Sequence, residues 1–83
     1  MTVRVLFFGA TADEAGTPEA DIELEDGLAA DAALGEILDR YPQLTESRDR
    51  GSLLFAVNQE YAKGDEIVKE GDELAVFTAV SGG

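Results

Sequence analysis

The sequence predicts an α+β domain in which four or five strands form one sheet and a single main helix packs on one face. Three observations lead there. Apolar runs and turn signals alternate in the order strand, strand, helix, strand, short extended piece, strand. One segment carries an apolar stripe at helical spacing. And 83 residues make one small domain, which removes only about 60% of its unfolded surface from water, so the helix has to cover the sheet face that forms the core.

The first strand is read over Val3-Arg4-Val5-Leu6-Phe7-Phe8, β-branched and aromatic, and closed by Gly9. Val3, Val5 and Phe7 share one side, and Arg4, Leu6 and Phe8 the other, so the strand reads as buried largely on both faces. Gly9 to Pro18 reads as loop or a short helical turn. Residues 20–24 alternate, with Ile22 and Leu24 inward and Asp21 and Glu23 outward, the mark of a half-buried strand antiparallel to the first. Glu25-Asp26-Gly27 is a turn. The helix then runs from about Leu28 or Asp31 to Tyr41, its stripe formed by Ala30, Leu34, Ile37, Leu38 and Tyr41, and Pro42 stops it. Asp26 and Asp31 are the candidate caps, but neither has Glu or Gln three residues on. Gly35 costs the helix up to about 1 kcal/mol relative to Ala, so packing must hold it.

Residues 43–52 are polar and read as a surface loop. Leu53 to Val57 is a further apolar strand, Asn58-Gln59 opens a turn, and a short extended piece surrounds Tyr61. Gly64-Asp65 and Gly71-Asp72 are turn points, and between them Ile67 and Val68 are expected to plug the connection onto the core. In the last strand, Glu73 to Thr78, the residues Leu74, Val76 and Thr78 share one side and Glu73, Ala75 and Phe77 the other. The chain ends Ala79-Val80-Ser81-Gly82-Gly83.

Composition removes several kinds of chemistry. Without Cys or His there is no thiol nucleophile, no imidazole base and no zinc site of the common kind; no metal ligation is expected. The net charge of −12, from eighteen acidic and six basic residues, opposes binding to nucleic acid or to anionic membranes and favours a basic protein partner. Met1 leads directly into a strand-like run, no apolar segment approaches the roughly 20 residues of a membrane span, and a soluble cytoplasmic protein is expected.

A sheet covered by one helix leaves its other face open. With Val3, Val5, Phe7, Leu74 and Val76 toward the helix, Phe8 and Phe77 fall on the uncovered side, and Tyr61 joins them if its segment follows the sheet edge. These rings are a candidate binding patch. The last strand leads almost directly into Gly82-Gly83. A terminal Gly-Gly arises by chance in roughly one chain in 200, so the dipeptide alone says little. In this setting it forms a slender arm, residues 79–83, expected to be flexible, whose lack of side chains lets it enter a narrow channel. Its chemistry would lie in the terminal carboxyl: joined to AMP, the carboxyl becomes a mixed anhydride that sulfur can attack, and no side chain of this chain is needed.

These segments together resemble a known family. Val5-Leu6-Phe7-Phe8, Ala56-Val57-Asn58-Gln59, Gly71-Asp72-Glu73-Leu74-Ala75-Val76-Phe77 and Val80-Ser81-Gly82-Gly83 are similar to the small subunit of molybdopterin synthase, the MoaD type, among the ubiquitin-like sulfur carriers. The resemblance spans nearly the whole chain. It implies a β-grasp fold with a mixed sheet and a non-catalytic carrier that works with a large, MoaE-like subunit, on which the active site is expected. It further implies that an E1-like (MoeB-type) enzyme adenylates the tail with ATP, no cofactor being held stably by the carrier itself. Gly83 then bears the thiocarboxylate, Gly82 gives the tail access, and sulfur passes to cyclic pyranopterin monophosphate in molybdenum cofactor synthesis. Phe8, Tyr61, Phe77 and Val80 fall at partner-binding positions. Thr78 and Ala79 stand where the family often has two prolines. Other readings of the same tail are a protein modifier joined through Gly83 to lysines of targets, a carrier for tRNA or thiamin thiolation, and a plain acidic interaction domain.

Overall fold

The structure is a computed structural model that describes residues 1–46 and 48–79. Strand β1 (Thr2–Phe7) is followed by a short helix, α1 (Ala10–Ala15), by β2 (Glu19–Glu23) and by the main helix α2 (Ala30–Arg40). Strands β3 (Leu53–Val57), β4 (Glu60–Tyr61) and β5 (Glu73–Thr78) complete the sheet, whose order is β2-β1-β5-β3-β4. Strands β1 and β5 run parallel at its centre, and the other neighbours are antiparallel. This is the mixed sheet of a β-grasp fold, with α2 on one face.

The core lies between that face and α2. Val3, Val5, Phe7, Ile22, Leu53, Phe55, Leu74 and Val76 meet Ala30, Ala33, Leu34, Ile37 and Leu38 of the helix. Tyr41, at the helix C-terminus, sets its ring edge-on to Phe7 with centroids 5.1 Å apart. Because one helix covers one face, β1 is buried on a single side: Arg4 is exposed and Leu6 half-buried, which corrects the expectation of burial on both. Phe8 lies just past the strand, where Gly9 at φ 59° turns the chain into α1.

The stretch Gly9 to Pro18 takes the helical of its two expected forms, a turn and a half, α1. Two segments depart from the expectations of sequence. Residues 43–52 are more than a surface loop: Pro42–Thr45 and Arg50–Ser52 form 3₁₀ turns, and Leu44 is fully buried. One Leu in a polar stretch makes no period and so gives no signal. The same loop sends Arg48 to Glu14 of α1 in a two-pronged ion pair, its Nη2–Oε2 contact 2.8 Å, and Arg48 also donates to the Leu44 carbonyl at 2.9 Å. Second, Val68 plugs the core as expected, but Ile67 is 54% exposed. Ile67 lies opposite Ala29 in a β-bridge whose hydrogen bonds are made by its neighbours, the Val68 N–H donating to the Leu28 carbonyl at 2.9 Å and the Glu66 carbonyl accepting the Ala30 N–H.

That bridge explains how α2 starts without Asp26 or Asp31 as its cap. Ala29 occupies the N-cap. The Ala30 and Asp31 N–H groups donate to the carbonyls of Glu66 (2.7 Å) and Gly64 (3.0 Å), so a downstream loop satisfies donors that a capping side chain would usually take. Space does not demand glycine at position 35: a Cβ there would lie 3.4 Å from the Arg50 guanidinium, the movable end of a partly exposed side chain that donates to the Asp31 carbonyl and carboxylate.

The capping loop is itself held by Glu66, whose carboxylate accepts the Lys63 and Gly64 N–H groups at 2.7 and 2.8 Å. The Lys63 N–H, then Glu66's own N–H and that of Gly64, hold its carboxyl below the usual carboxylate range. A carboxyl with a folded pKa below its unfolded one stabilises the fold above the unfolded value, and that stability is lost as pH falls through the folded value. Glu66→Gln is therefore expected to lower the melting temperature at pH 7. The gap from the parent protein should narrow as pH falls through and below the ordinary carboxylate range; a gap that stays constant on acidification would show that the Glu66 charge contributes nothing.

Candidate functional site

The uncovered face has its own composition. Residues that pair across strands share a side of the sheet, so the register places Leu6 beside Ala75, Ala75 beside Ala56, Ala56 beside Tyr61, and Leu54 beside Phe77. Two alanines at the centre leave depth, and large rings stand around them. Phe77 meets Phe8 edge-on at 6.2 Å between centroids and Tyr61 at 5.9 Å in a tilted contact. Phe8 is 52% and Tyr61 70% exposed, while Phe77 between them is half-buried. The three predicted aromatic residues therefore form one cluster.

Two shallow grooves flank it. The larger, about 400 Å³, is lined by Leu6, Phe8, Ala56, Gln59, Tyr61, Glu73, Ala75 and Phe77. The second, about 360 Å³, lies on the other side of the Phe8–Phe77 pair and is lined by Phe8, Gly9, Phe77, Thr78 and Ala79. The aromatic surface thus continues to the point where the chain leaves β5. Val80, Gly82 and Gly83, the remaining predicted site residues, lie outside the described residues. Among the described residues no group of three or more acidic side chains is arranged to hold a metal ion, and no helix is long and apolar enough to cross a membrane.

Two residues of this region were not singled out by sequence. Gln59 lines the larger groove from the β3–β4 turn, where Asn58 and Gln59 both have positive φ, 50° and 72°. A two-residue turn of this kind favours Asn followed by Gly, so Gln at the second position was the available signal. Asn58 fixes the turn: its side chain accepts the Glu73 N–H and donates to Asp72, both at 3.0 Å. The second residue is Thr11, fully buried on α1, with Oγ 2.8 Å from the carbonyls of both Phe8 and Val76. A lone Thr between alanines carries no sequence signal of such a role.

The model of the ThiS family matches residues 5–83, all of the sheet except the first three residues of β1, and the Gly-Gly end. The chain belongs to the ThiS family. Within it, the chain is 35% identical over its full length, and that of the relative, to the molybdopterin synthase sulfur carrier subunit of Chlamydomonas reinhardtii. It is 36% identical to the human subunit of the same name, over 98% of this chain and 93% of the relative. Solved structures agree with the ThiS-family fold. A putative molybdopterin converting factor subunit 1 of Pyrococcus furiosus superposes with TM-score 0.83 at 31% identity, covering 96% of this chain and 99% of that one. SAMP1 of Haloferax volcanii, a small archaeal modifier protein, gives 0.83 at 25% identity with full coverage of both. In a Helicobacter pylori complex of molybdopterin-converting factor subunits 1 and 2, the matching chain gives 0.70 at 26% identity, again with full coverage of both.

Proposed function

We propose that this ThiS-family chain is the sulfur carrier subunit of a molybdopterin synthase. The observation that carries the reading is the continuity of the aromatic face with the strand that leads into Gly82-Gly83. A partner seated on Phe8, Tyr61 and Phe77 receives the chain end at a fixed place beside its own active site. The sulfur carrier subunits among its relatives, and the two-subunit complex among its structural neighbours, support the same reading.

The chemistry runs through the Gly83 carboxylate. An oxygen of the carboxylate attacks the α-phosphorus of ATP on an E1-like enzyme, pyrophosphate leaves, and a mixed anhydride with AMP results. Hydrosulfide supplied by the sulfur donor then attacks the anhydride carbonyl carbon, the carbon–oxygen bond to AMP breaks, AMP leaves, and a thiocarboxylate remains. On the large subunit that sulfur bonds to a carbon of cyclic pyranopterin monophosphate, water cleaves the acyl–sulfur bond, and the Gly83 carboxylate is regenerated. This chain contributes positioning and a reactive end, and the enzymes that act on it contribute the catalytic groups.

The test is mass spectrometry of the chain incubated with its activating enzyme, ATP and a sulfur donor, followed by addition of the large subunit and the pterin precursor. The expected result is a mass gain equal to exchange of one oxygen for sulfur at Gly83, lost again on transfer. A second reading is favoured by the likeness to archaeal modifier proteins: the same activated carboxyl joined to a lysine of a target. It predicts Gly-Gly remnants on lysines of other proteins. Neither product, with all reagents present, would overturn both readings.

A further inference from the structure

Thr11 lines neither groove, yet it ties together the two strand ends that bear Phe8 and Phe77. The β1–β5 ladder finishes there: the Phe8 N–H reaches the Val76 carbonyl only at 3.4 Å, beyond the usual range for such a bond. Past Val76, β5 keeps its pairing with β3, Leu54 with Phe77 and Leu53 with Thr78, while its register with β1 has ended. The Thr11 hydroxyl, 2.8 Å from both carbonyls, is therefore the last fastening on that edge before Ala79. The short helix that carries it is anchored separately, by the Arg48–Glu14 pair.

We infer that Thr11 is a positioning residue, whose hydroxyl sets the direction in which the chain leaves the sheet at Ala79 and holds the Phe8 ring against Phe77. Its effect on activity rests on the carrier reading above, but its effect on geometry does not. Val has nearly the shape of Thr and lacks the hydroxyl, so Thr11→Val keeps the packing and removes the tie. The Phe8 carbonyl still accepts the Thr11 N–H at 3.2 Å, and the Val76 carbonyl keeps only the long contact to the Phe8 N–H, so the variant gives up about one hydrogen bond and should still fold.

The experiment compares Thr11→Val, Thr11→Ser and Ile37→Val, the last a core change that loosens the fold away from the strand ends. By NMR, Thr11→Val should lose the nuclear Overhauser contacts between the Phe8 and Phe77 rings and shift the Ala79 amide. Thr11→Ser should restore both, and Ile37→Val should leave both in place. With the activating enzyme, Thr11→Val should raise KM for the carrier about fivefold, the factor for one neutral hydrogen bond, with kcat within about twofold. Ring contacts retained in Thr11→Val, or a KM change matched by Ile37→Val, would overturn the inference. A parent protein that is not activated at all would sink the carrier reading, and the NMR comparison would then decide the role of Thr11 alone.

Discussion

Deletion of Gly83 is expected to abolish sulfur loading and transfer while leaving the melting temperature unchanged. The truncated chain still ends in a glycine carboxylate, now that of Gly82, so the reactive group is conserved and only its reach is altered, by up to about 3.6 Å. In-line attack on a bound phosphate tolerates little displacement: a misplacement of about 1 Å costs on the order of a hundredfold, and a full residue should cost a thousandfold or more. Stability should not follow, because among the described residues the buried core is drawn from positions up to Val76. Intact-mass measurement of the thiocarboxylate and a thermal melt of the same sample check the two halves together. Normal loading of the truncated chain would contradict a mechanism centred on Gly83. A lowered melting temperature would show that the end serves the fold.

Phe77→Asp is expected to weaken binding to the large subunit about a hundredfold or more, with far-ultraviolet circular dichroism unchanged. Phe77 is the middle ring of the cluster, touching both Phe8 and Tyr61, and central aromatic anchors carry the largest share of interface energy, about 2–4 kcal/mol each. The substitution also places a carboxylate in a groove that Glu73 already lines. The fold should survive because Phe77 points away from α2, its neighbours Val76 and Leu74 having taken the buried side of β5. Phe77→Leu, which keeps an apolar side chain, should lose far less affinity. If Phe77→Asp unfolds, the ring belongs to the core and the docking surface is misplaced. If it binds as the parent does, the partner sits elsewhere.

The parity of strands makes the aromatic face legible in the sequence. With Val5, Phe7, Leu74 and Val76 assigned to the helix side, the period of two leaves Phe77 on the open side, and Phe8, though it lies one residue beyond β1, still reaches it. The main helix is legible from its stripe. What stays hidden depends on contacts between distant segments. The parallel pairing of β1 with β5 has no local signature. Neither has the closure of the α2 N-terminus by the Gly64 and Glu66 carbonyls, since a carbonyl is present at every residue. Leu44 and Thr11 are buried by what surrounds them, a 3₁₀ turn and two strand ends, and a single residue cannot announce that. Ile67 misleads for the opposite reason: its apolar side chain suggests burial, but it sits half-exposed opposite Ala29 while its neighbours Glu66 and Val68 make the hydrogen bonds of that bridge.

The central place of β5 in the sheet has a consequence for how the protein comes to be made. The last of the five strands to be translated sits between the first strand and β3, so until it arrives β1 and β3 are not joined and the hydrophobic interior is open along its middle. A nascent chain cannot complete its core until that strand, with Leu74 and Val76, has been synthesised, and a chain that stops upstream of β5 is expected not to fold stably. A partner that recognises the assembled sheet thereby selects chains that were read through β5, toward the residue that is to be loaded.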